Sequence, residues 1–93
     1  MRLKYLDRAI QDAAWFRQYY EAVFPKDREK TARSLLTVQR LLQSNPYMGQ
    51  PVAEFQNVRR FPVARTPFFL ISRVSTDRIE VLRLRDSRRG NDD

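Results

Sequence analysis

Residues 68–85 read FFLISRVSTDRIEVLRLR, and this stretch decides the class of fold. Its two halves, residues 68–74 and 78–85, are rich in the β-branched and aromatic residues that favour strands. The Ser-Thr-Asp sequence at 75–77 is typical of a turn, so the stretch predicts a β-hairpin. A third strand-like segment, residues 58–63, precedes the hairpin and predicts a neighbour in the same sheet.

The alternation of side chains in the last strand predicts two faces. One face would carry Ile79, Val81, Arg83 and Arg85, and the other would carry Glu80, Leu82 and Leu84. No acidic residue then shares a face with Arg83 and Arg85. We therefore expect this arginine pair to find its counter-charge in Asp86, another strand, the tail or a ligand.

The N-terminal half of the sequence predicts a short strand followed by two helices. The strand covers residues 3–6, and Asp7 is a candidate N-cap for a helix that runs to about residue 24, just before a proline. Asp27 is the candidate cap of a second helix, which ends near Leu42. Apolar side chains recur three and four positions apart in both segments, so the two helices should form a hairpin with an apolar side.

A connector, residues 46–57, joins the helices to the sheet and contains Gly49, where we expect an unusual backbone turn. The order of elements is β-α-α-β-β-β. This order predicts an α+β fold in which the helical hairpin packs on a mainly antiparallel sheet. The length of 93 residues suits one domain, residues 1–89, followed by a polar tail, residues 90–93.

The composition excludes many kinds of chemistry. Without cysteine or histidine, the chain cannot build a Ser-His-Asp triad, a Cys-His pair or an ordinary zinc site. We expect no metal and no cofactor, because six carboxylates suit helix starts or the tail: Asp7, Asp12, Asp27, Glu29, Asp92 and Asp93. No apolar run follows Met1 and none approaches the ~20 residues of a membrane span, so we expect a cytoplasmic protein without a membrane partner.

The net charge of +7 favours an anionic partner, and it is concentrated in the C-terminal half. Residues 58–89 contain nine arginines and three acidic residues, which leaves +6 there. Arginine presents a planar fork that fits phosphate or carboxylate oxygens two at a time, although a solvated basic face is the alternative reading. The predicted target-binding residues are Arg59, Arg65, Arg73, Arg83, Arg85 and Arg88.

Several local segments carry a resemblance to a known family. They are Ala9, Asp12, Tyr19 and Tyr20 in the first helix, NPYMGQP at 45–51, Val58-Arg59, and the strand segments 67–74 and 81–84. Together with the order of elements they resemble the ParE/RelE superfamily, the toxins of type II toxin-antitoxin systems and plasmid stabilisation modules. The resemblance implies a growth-inhibiting toxin that a cognate antitoxin neutralises in a hetero-oligomer.

The resemblance implies one of two targets. ParE-like members poison DNA gyrase, whereas RelE-like members cut messenger RNA on the ribosome. The sequence departs from the family pattern at Ser72, where tyrosine is usual, and at Asp86, where histidine is frequent. Arginine stays protonated, so proton transfer would fall to Glu54, Asp86 or Tyr47. We therefore favour a ParE-like gyrase binder, with a RelE-like endoribonuclease as the alternative and a non-toxic nucleic-acid-binding module as a third possibility.

One side of the first helix predicts a surface for the antitoxin. Trp15, Tyr19 and Ala22 lie opposite the apolar stripe through Phe16 and Tyr20, so they have no obvious core to join. Exposed aromatic side chains one turn apart are suitable anchors for an amphipathic segment. The alternative is that the second helix or another copy of the chain covers them.

Overall fold

The computed structural model describes residues 1–23, 26 and 28–89. Along the chain the elements are β1 (Arg2–Tyr5), α1 (Asp7–Val23), α2 (Arg28–Ser44), β2 (Gln50–Pro51), β3 (Val58–Pro62), β4 (Phe68–Val74), β5 (Arg78–Asp86) and a terminal 3-10 turn (Ser87–Arg89). This is the predicted α+β fold with one additional strand, β2. Within the described residues, neither helix has the length and apolar character needed to cross a membrane.

The start of α1 differs from the prediction by one residue. The Ile10 N–H donates to the Leu6 carbonyl oxygen at 2.9 Å, so Leu6 is the capping residue. Asp7 lies in the first turn instead, where its charge favours the positive end of the helix dipole. The prediction that Asp7 is the N-cap was therefore wrong.

The ends of the helical hairpin are only partly described. The expected end of α1 at Phe24 and Pro25, the expected cap Asp27 and the tail at residues 90–93 lie outside the described residues. Helix α2 continues two residues beyond the predicted end at Leu42.

The five strands form one sheet in the order β1-β5-β4-β3-β2. Strand β1 runs parallel to β5, and the other neighbours are antiparallel. The predicted hairpin between β4 and β5 is confirmed, with the Ser75 N–H donating to the Arg78 carbonyl oxygen at 2.8 Å. The unusual turn expected at Gly49 is also present, with φ +99°. A Cβ there would lie 2.5 Å from the Arg60 carbonyl oxygen, so a larger residue would displace β3.

A bulge interrupts the regular alternation of β5. The register between β4 and β5 shifts between Ile71 and Ser72, which leaves Leu82 as an extra residue. The prediction of faces in this strand was wrong beyond the bulge, because the extra residue reverses the alternation. The observed faces are Ile79, Val81, Leu84 and Asp86 on one side, and Arg78, Glu80, Arg83 and Arg85 on the other.

Both helices pack on one face of the sheet, which we call the covered face. The core between them contains Ala9, Phe16 and Tyr20 of α1, Leu35, Val38 and Leu42 of α2, and Val63, Phe68, Leu70, Ile79, Val81 and Leu84 of the sheet side. The predicted apolar stripes of the helices supply half of these twelve residues. Val23 and Leu36 recur at the same helical spacing but remain 49% and 43% exposed.

The opposite face of the sheet carries neither helix, and we call it the open face. Its residues follow from the alternation along each strand and from the cross-strand pairs. They are Arg2 and Lys4 of β1, Val58, Arg60 and Pro62 of β3, Phe69, Ile71 and Arg73 of β4, and Arg78, Glu80, Arg83 and Arg85 of β5.

Candidate functional site

The open face is strongly basic. Among the described residues, its strand positions hold seven cationic side chains and a single carboxylate, Glu80, which gives seven minus one, or +6. Asp12 of helix α1 neutralises one of the seven, Arg83. The cations are Arg2, Lys4, Arg60, Arg73, Arg78, Arg83 and Arg85. A surface with this charge raises the local concentration of anions and speeds their association.

The single carboxylate of the open face is bridged by two arginines. Arg73 donates from Nε and Nη2 to Glu80 Oε1 at 3.0 and 2.7 Å, and Arg78 donates from the same two atoms to Oε2 at 3.2 and 2.7 Å. The bonds from Arg73, and next those from Arg78, lower the pKa of Glu80. The Nη1 atom of each arginine stays outside the bridge, so both guanidinium groups are held in place with donors to spare.

An arginine-aromatic contact lies at the other side of the open face. The guanidinium carbon of Arg60 is 4.0 Å from the centre of the Phe69 ring, which is cation–π distance. Beside this contact is a recess of about 370 Å³, whose lining includes Gln50, Arg60, Pro62 and Phe69. The recess therefore combines a flat apolar wall with a cationic edge.

Arg83 is neutralised at the edge of the sheet by helix α1. Its Nε donates to Asp12 Oδ2 at 2.7 Å and its Nη2 to Oδ1 at 3.2 Å. The Leu84 N–H also donates to Asp12, at 3.0 Å, so one carboxylate serves the side chain and the strand edge together. The hydrogen bonds that Arg83 donates to Asp12 raise the pKa of Arg83. The counter-charge comes from a helix, a source that the sequence did not indicate, and Asp12 is more than a helix-start acid.

A second cluster joins the C-terminal end of β5 to α1. Arg88 donates from its backbone N–H and its Nε to Asp86 Oδ1, and from Nη2 to Oδ2 at 2.8 Å and to the Tyr19 hydroxyl at 3.1 Å. These bonds, first those to Asp86, raise the pKa of Arg88. The Trp15 ring stacks on the Tyr19 ring, with 5.4 Å between the ring centres, and it also contacts Phe68, with 5.7 Å between the ring centres. This cluster lies on the covered side of the sheet.

The expectation that Trp15 and Tyr19 have no core to join was wrong for part of their surface. Tyr19 is half-buried against the core, and Trp15 contacts the core residue Phe68. Trp15 is nevertheless 38% exposed, and Ala22 is exposed as well. The predicted antitoxin surface is thus an accessible aromatic patch that continues to Arg88.

A groove runs between the two helices. One part has a volume of about 510 Å³ and is lined by residues that include Phe16, Tyr20, Leu35 and Leu36. An adjoining part of about 400 Å³ shares Leu35 with it and extends to Ile10, which is 55% exposed. Of the apolar residues named here, Leu36 and Ile10 are exposed, whereas Phe16, Tyr20 and Leu35 form a buried floor.

The structure separates the six predicted target-binding arginines. Arg73 and Arg85 lie on the open face, and Arg83 starts there but turns to Asp12. Arg88 belongs to the cluster with Asp86 and Tyr19 described above. Arg59 lies on the covered face and donates to the Gly49 carbonyl oxygen at 3.1 Å, and Arg65 occupies the turn between β3 and β4 with φ +66°.

Four cations of the open face were not among the target-binding residues predicted from the sequence: Arg2, Lys4, Arg60 and Arg78. Arg2 and Lys4 reach this face because β1 pairs in parallel with β5, which a sequence does not reveal. The alternation within β3 could have separated Arg60 from Arg59, because the apolar Phe61 lies two positions from Arg59 and therefore shares its face.

The three candidate proton-transfer residues do not converge on the open face. Glu54 is exposed in the loop between β2 and β3, and Tyr47 is 64% exposed in the connector after α2. Asp86 is buried on the covered side in its bonds to Arg88. On the described strands, the open face therefore offers cations and one saturated carboxylate, an arrangement suited to binding anions.

Comparisons with known proteins agree with this architecture. A family model described as the ParE toxin of the type II toxin-antitoxin system parDE matches residues 3–90. A solved structure of the chromosomal ParDE toxin-antitoxin system from P. aeruginosa is 27% identical, with a TM-score of 0.78 over 92% of this chain and 95% of that one. A YoeB/ParE toxin from Agrobacterium tumefaciens, 16% identical, shares the fold with a TM-score of 0.64 over 92% of this chain and 98% of that one. No curated protein matches the sequence. From the family match over nearly its whole length, the chain belongs to the ParE family of type II toxin-antitoxin toxins.

Proposed function

We propose that this ParE-family toxin arrests growth by binding DNA gyrase through the open face of its sheet, and that a cognate antitoxin neutralises it. One observation carries the proposal: among the described residues, six cations besides the Asp12-paired Arg83 share the open face with one carboxylate, which two arginines already bridge. The choice of gyrase rests on the resemblance to ParE-like members, for which gyrase is the target. The toxin then acts as a binder that needs no metal and no cofactor.

The chemistry of the open face favours binding over RNA cleavage. Cleavage through the 2′-hydroxyl needs a base and an acid beside the phosphate. Arginine remains protonated, and the bonds from Arg73 and Arg78 lower the pKa of Glu80 and occupy its lone pairs. A carboxylate held in this way is a poor proton shuttle, which argues against the RelE-like alternative.

Gyrase inhibition tests the target directly. The variant combines Lys4→Glu with Arg60→Glu, since both side chains are exposed at opposite margins of the open face. Reversing Arg83 would be a poorer test, because a glutamate there would repel Asp12 and disturb the fold. We expect the double variant to lose at least about tenfold in inhibition of supercoiling and to lose growth arrest.

The matched control is Arg33→Glu with Arg40→Glu, which reverses the same number of charges on α2. This control should retain inhibition, and circular dichroism verifies the fold of both proteins. Equal loss in both variants, or arrest accompanied by truncated messages with gyrase unaffected, would contradict the proposed target. The second result would point to the endoribonuclease.

For the antitoxin we propose the patch of Trp15, Tyr19 and Ala22, joined to the groove between the helices. The support is an aromatic stack whose Trp15 is exposed, a partly apolar groove that begins at the neighbouring Tyr20, and membership of a toxin-antitoxin family. Acidic residues of the antitoxin are expected to cover the basic face as well, so the affinity should fall with added salt.

A substitution at Ala22 tests this surface without removing a packing contact. Ala22 is exposed, so Ala22→Arg adds bulk and charge to the patch and leaves the aromatic stack in place. Titration of the variant with the cognate antitoxin should give an affinity at least about tenfold weaker. Unchanged affinity in both Ala22→Arg and Trp15→Ala would place the antitoxin elsewhere.

A further inference from the structure

The open face contains a strip with an apolar floor and basic sides. Ile71 and Phe69 follow one another along β4 on this face, and both are half-buried. In the cross-strand register, Phe69 has Arg85 as its neighbour on β5, and Ile71 has Arg60 as its neighbour on β3. Arg83 is the β5 neighbour of Ile71, but its guanidinium group turns to Asp12, so the basic sides are Arg60 and Arg85. The flanking strands are about 10 Å apart, twice the spacing between neighbouring strands. A strip of this width can hold one extended polymer chain.

The recess beside Phe69 has the chemistry of a site for a flat ring. Its volume is about 370 Å³, and Phe69 and Arg60 are among its lining residues. Aromatic rings and guanidinium planes are the two groups on which nucleobases stack most readily in proteins. The glycine at position 49 also lines the recess, and its lack of a side chain keeps the backbone of β3 close.

The other half of the open face supplies donors for phosphate. Glu80 holds Arg73 and Arg78 with their Nη1 atoms outside the bridge, and these two side chains are 44% and 34% exposed. Lys4 is the neighbour of Glu80 on β1, so a third cation stands beside the bridge. Arginines fixed before binding lose little side-chain entropy when they contact an oxyanion.

We propose that the open face binds single-stranded DNA, with a base stacked at Phe69 and Arg60 and the phosphates directed to Arg73, Arg78 and Lys4. A duplex would fit less well, because its bases are stacked on one another and cannot reach Phe69. DNA is chosen over RNA because a protein identifies a 2′-hydroxyl most specifically by accepting its proton as well as donating to its oxygen. On the described open face the one carboxylate already accepts four hydrogen bonds, so it is not available to accept that proton.

Fluorescence anisotropy with a labelled oligothymidine of ~12 nucleotides and the full-length toxin tests the inference. At about 50 mM salt we expect saturable binding in the range of about 1–100 µM that weakens steeply as salt is added. Arg60→Ala should weaken binding about fivefold, and Phe69→Ala about tenfold. Phe69→Leu, which keeps an apolar side chain on the sheet but removes the ring, should show a similar loss and guards against misfolding.

The matched control is Arg33→Ala, which removes one exposed arginine from α2 and should change the affinity less than about twofold. The inference is overturned by the absence of saturable binding, by an equal loss in Arg33→Ala and Arg60→Ala, or by a tenfold preference for oligouridine or for a duplex.

This DNA-binding proposal goes beyond the proposed function, and separate results would refute each of them. Gyrase inhibition without oligonucleotide binding refutes the DNA site alone, whereas binding without inhibition refutes the target alone.

Discussion

The sequence contains two pairs of identical adjacent residues, Phe68-Phe69 and Arg59-Arg60, and in each pair the two side chains lie on opposite faces of the sheet. Phe68 contacts Phe16 and Trp15 and is 2% exposed, whereas Phe69 lies on the open face under Arg60. Arg59 bonds to a backbone carbonyl on the covered side, and its neighbour Arg60 lies on the open face. Because side chains alternate along a strand, one step along the chain separates a residue of the core from a residue of the basic surface. Residue type alone therefore says little about whether a position serves the fold or the function.

The largest expected effect comes from the two phenylalanines. Phe68→Ala removes a ring at the centre of the aromatic core and should lower the free energy of unfolding by about 3–5 kcal/mol. Phe69→Ala should cost only about 1 kcal/mol, because its ring is half-buried on the open face. Urea unfolding of both variants measures the difference. Equal losses would mean that the open face is covered in solution.

Asp12 gives the next largest effect, because it connects the covered side to the edge of β5. Asp12→Ala removes both bonds to Arg83 and the acceptor of the Leu84 N–H, and should lower the free energy of unfolding by about 2 kcal/mol. Asp7→Ala, in the first turn of the same helix, is the control and should cost about 0.5 kcal/mol. If the two losses are alike, the contact at the strand edge contributes little.

The bridge on the open face predicts a dependence on pH. The pKa of Glu80 lies below its usual value of 4.5 in the folded protein, mainly because of the hydrogen bonds from Arg73 and Arg78. The stabilisation by the charged carboxylate is complete above pH 4.5 and is lost as the pH falls through the lower folded pKa. Glu80→Gln should therefore be less stable than the wild-type protein at pH 7, and the gap should close in acid.

Chemical denaturation of the wild-type protein and Glu80→Gln between pH 7 and pH 3 measures this gap. If the difference in free energy of unfolding between the two proteins stays the same down to pH 3, the charge of Glu80 does not stabilise the fold. Asp77→Asn is a suitable comparison, because Asp77 is exposed and its ion pair with the exposed Arg2 is long, at 3.8 Å. Its stability should change little across the same range.

The sequence predicted the elements better than their relations. Strand β4 has the predicted bounds at residues 68–74, because the apolar run is bounded by clear turn residues. The bulge at Leu82 and the parallel pairing of β1 depend on tertiary contacts, and neither leaves a local signal. The partner of Arg83 lies 71 positions away on a helix, so counting charges within the strand could not find it. The sequence thus predicted an arginine-rich surface suited to anions. Which arginines lie on that surface could be decided only from the pairing register of the strands.

The smallest expected change in stability belongs to the adjacent arginines. Arg60→Ala removes an exposed cation–π contact and should lower the free energy of unfolding by about 0.5 kcal/mol. Arg59→Ala removes the bond to the Gly49 carbonyl oxygen, which holds the connector against β3, and should cost about 1 kcal/mol. Growth arrest should show the opposite order, because only Arg60 contributes to the open face. Thermal unfolding and a growth assay on both variants compare the two effects. If Arg59→Ala abolishes growth arrest while Arg60→Ala retains it, the target binds the covered side of the sheet and the division between the two faces proposed above is wrong.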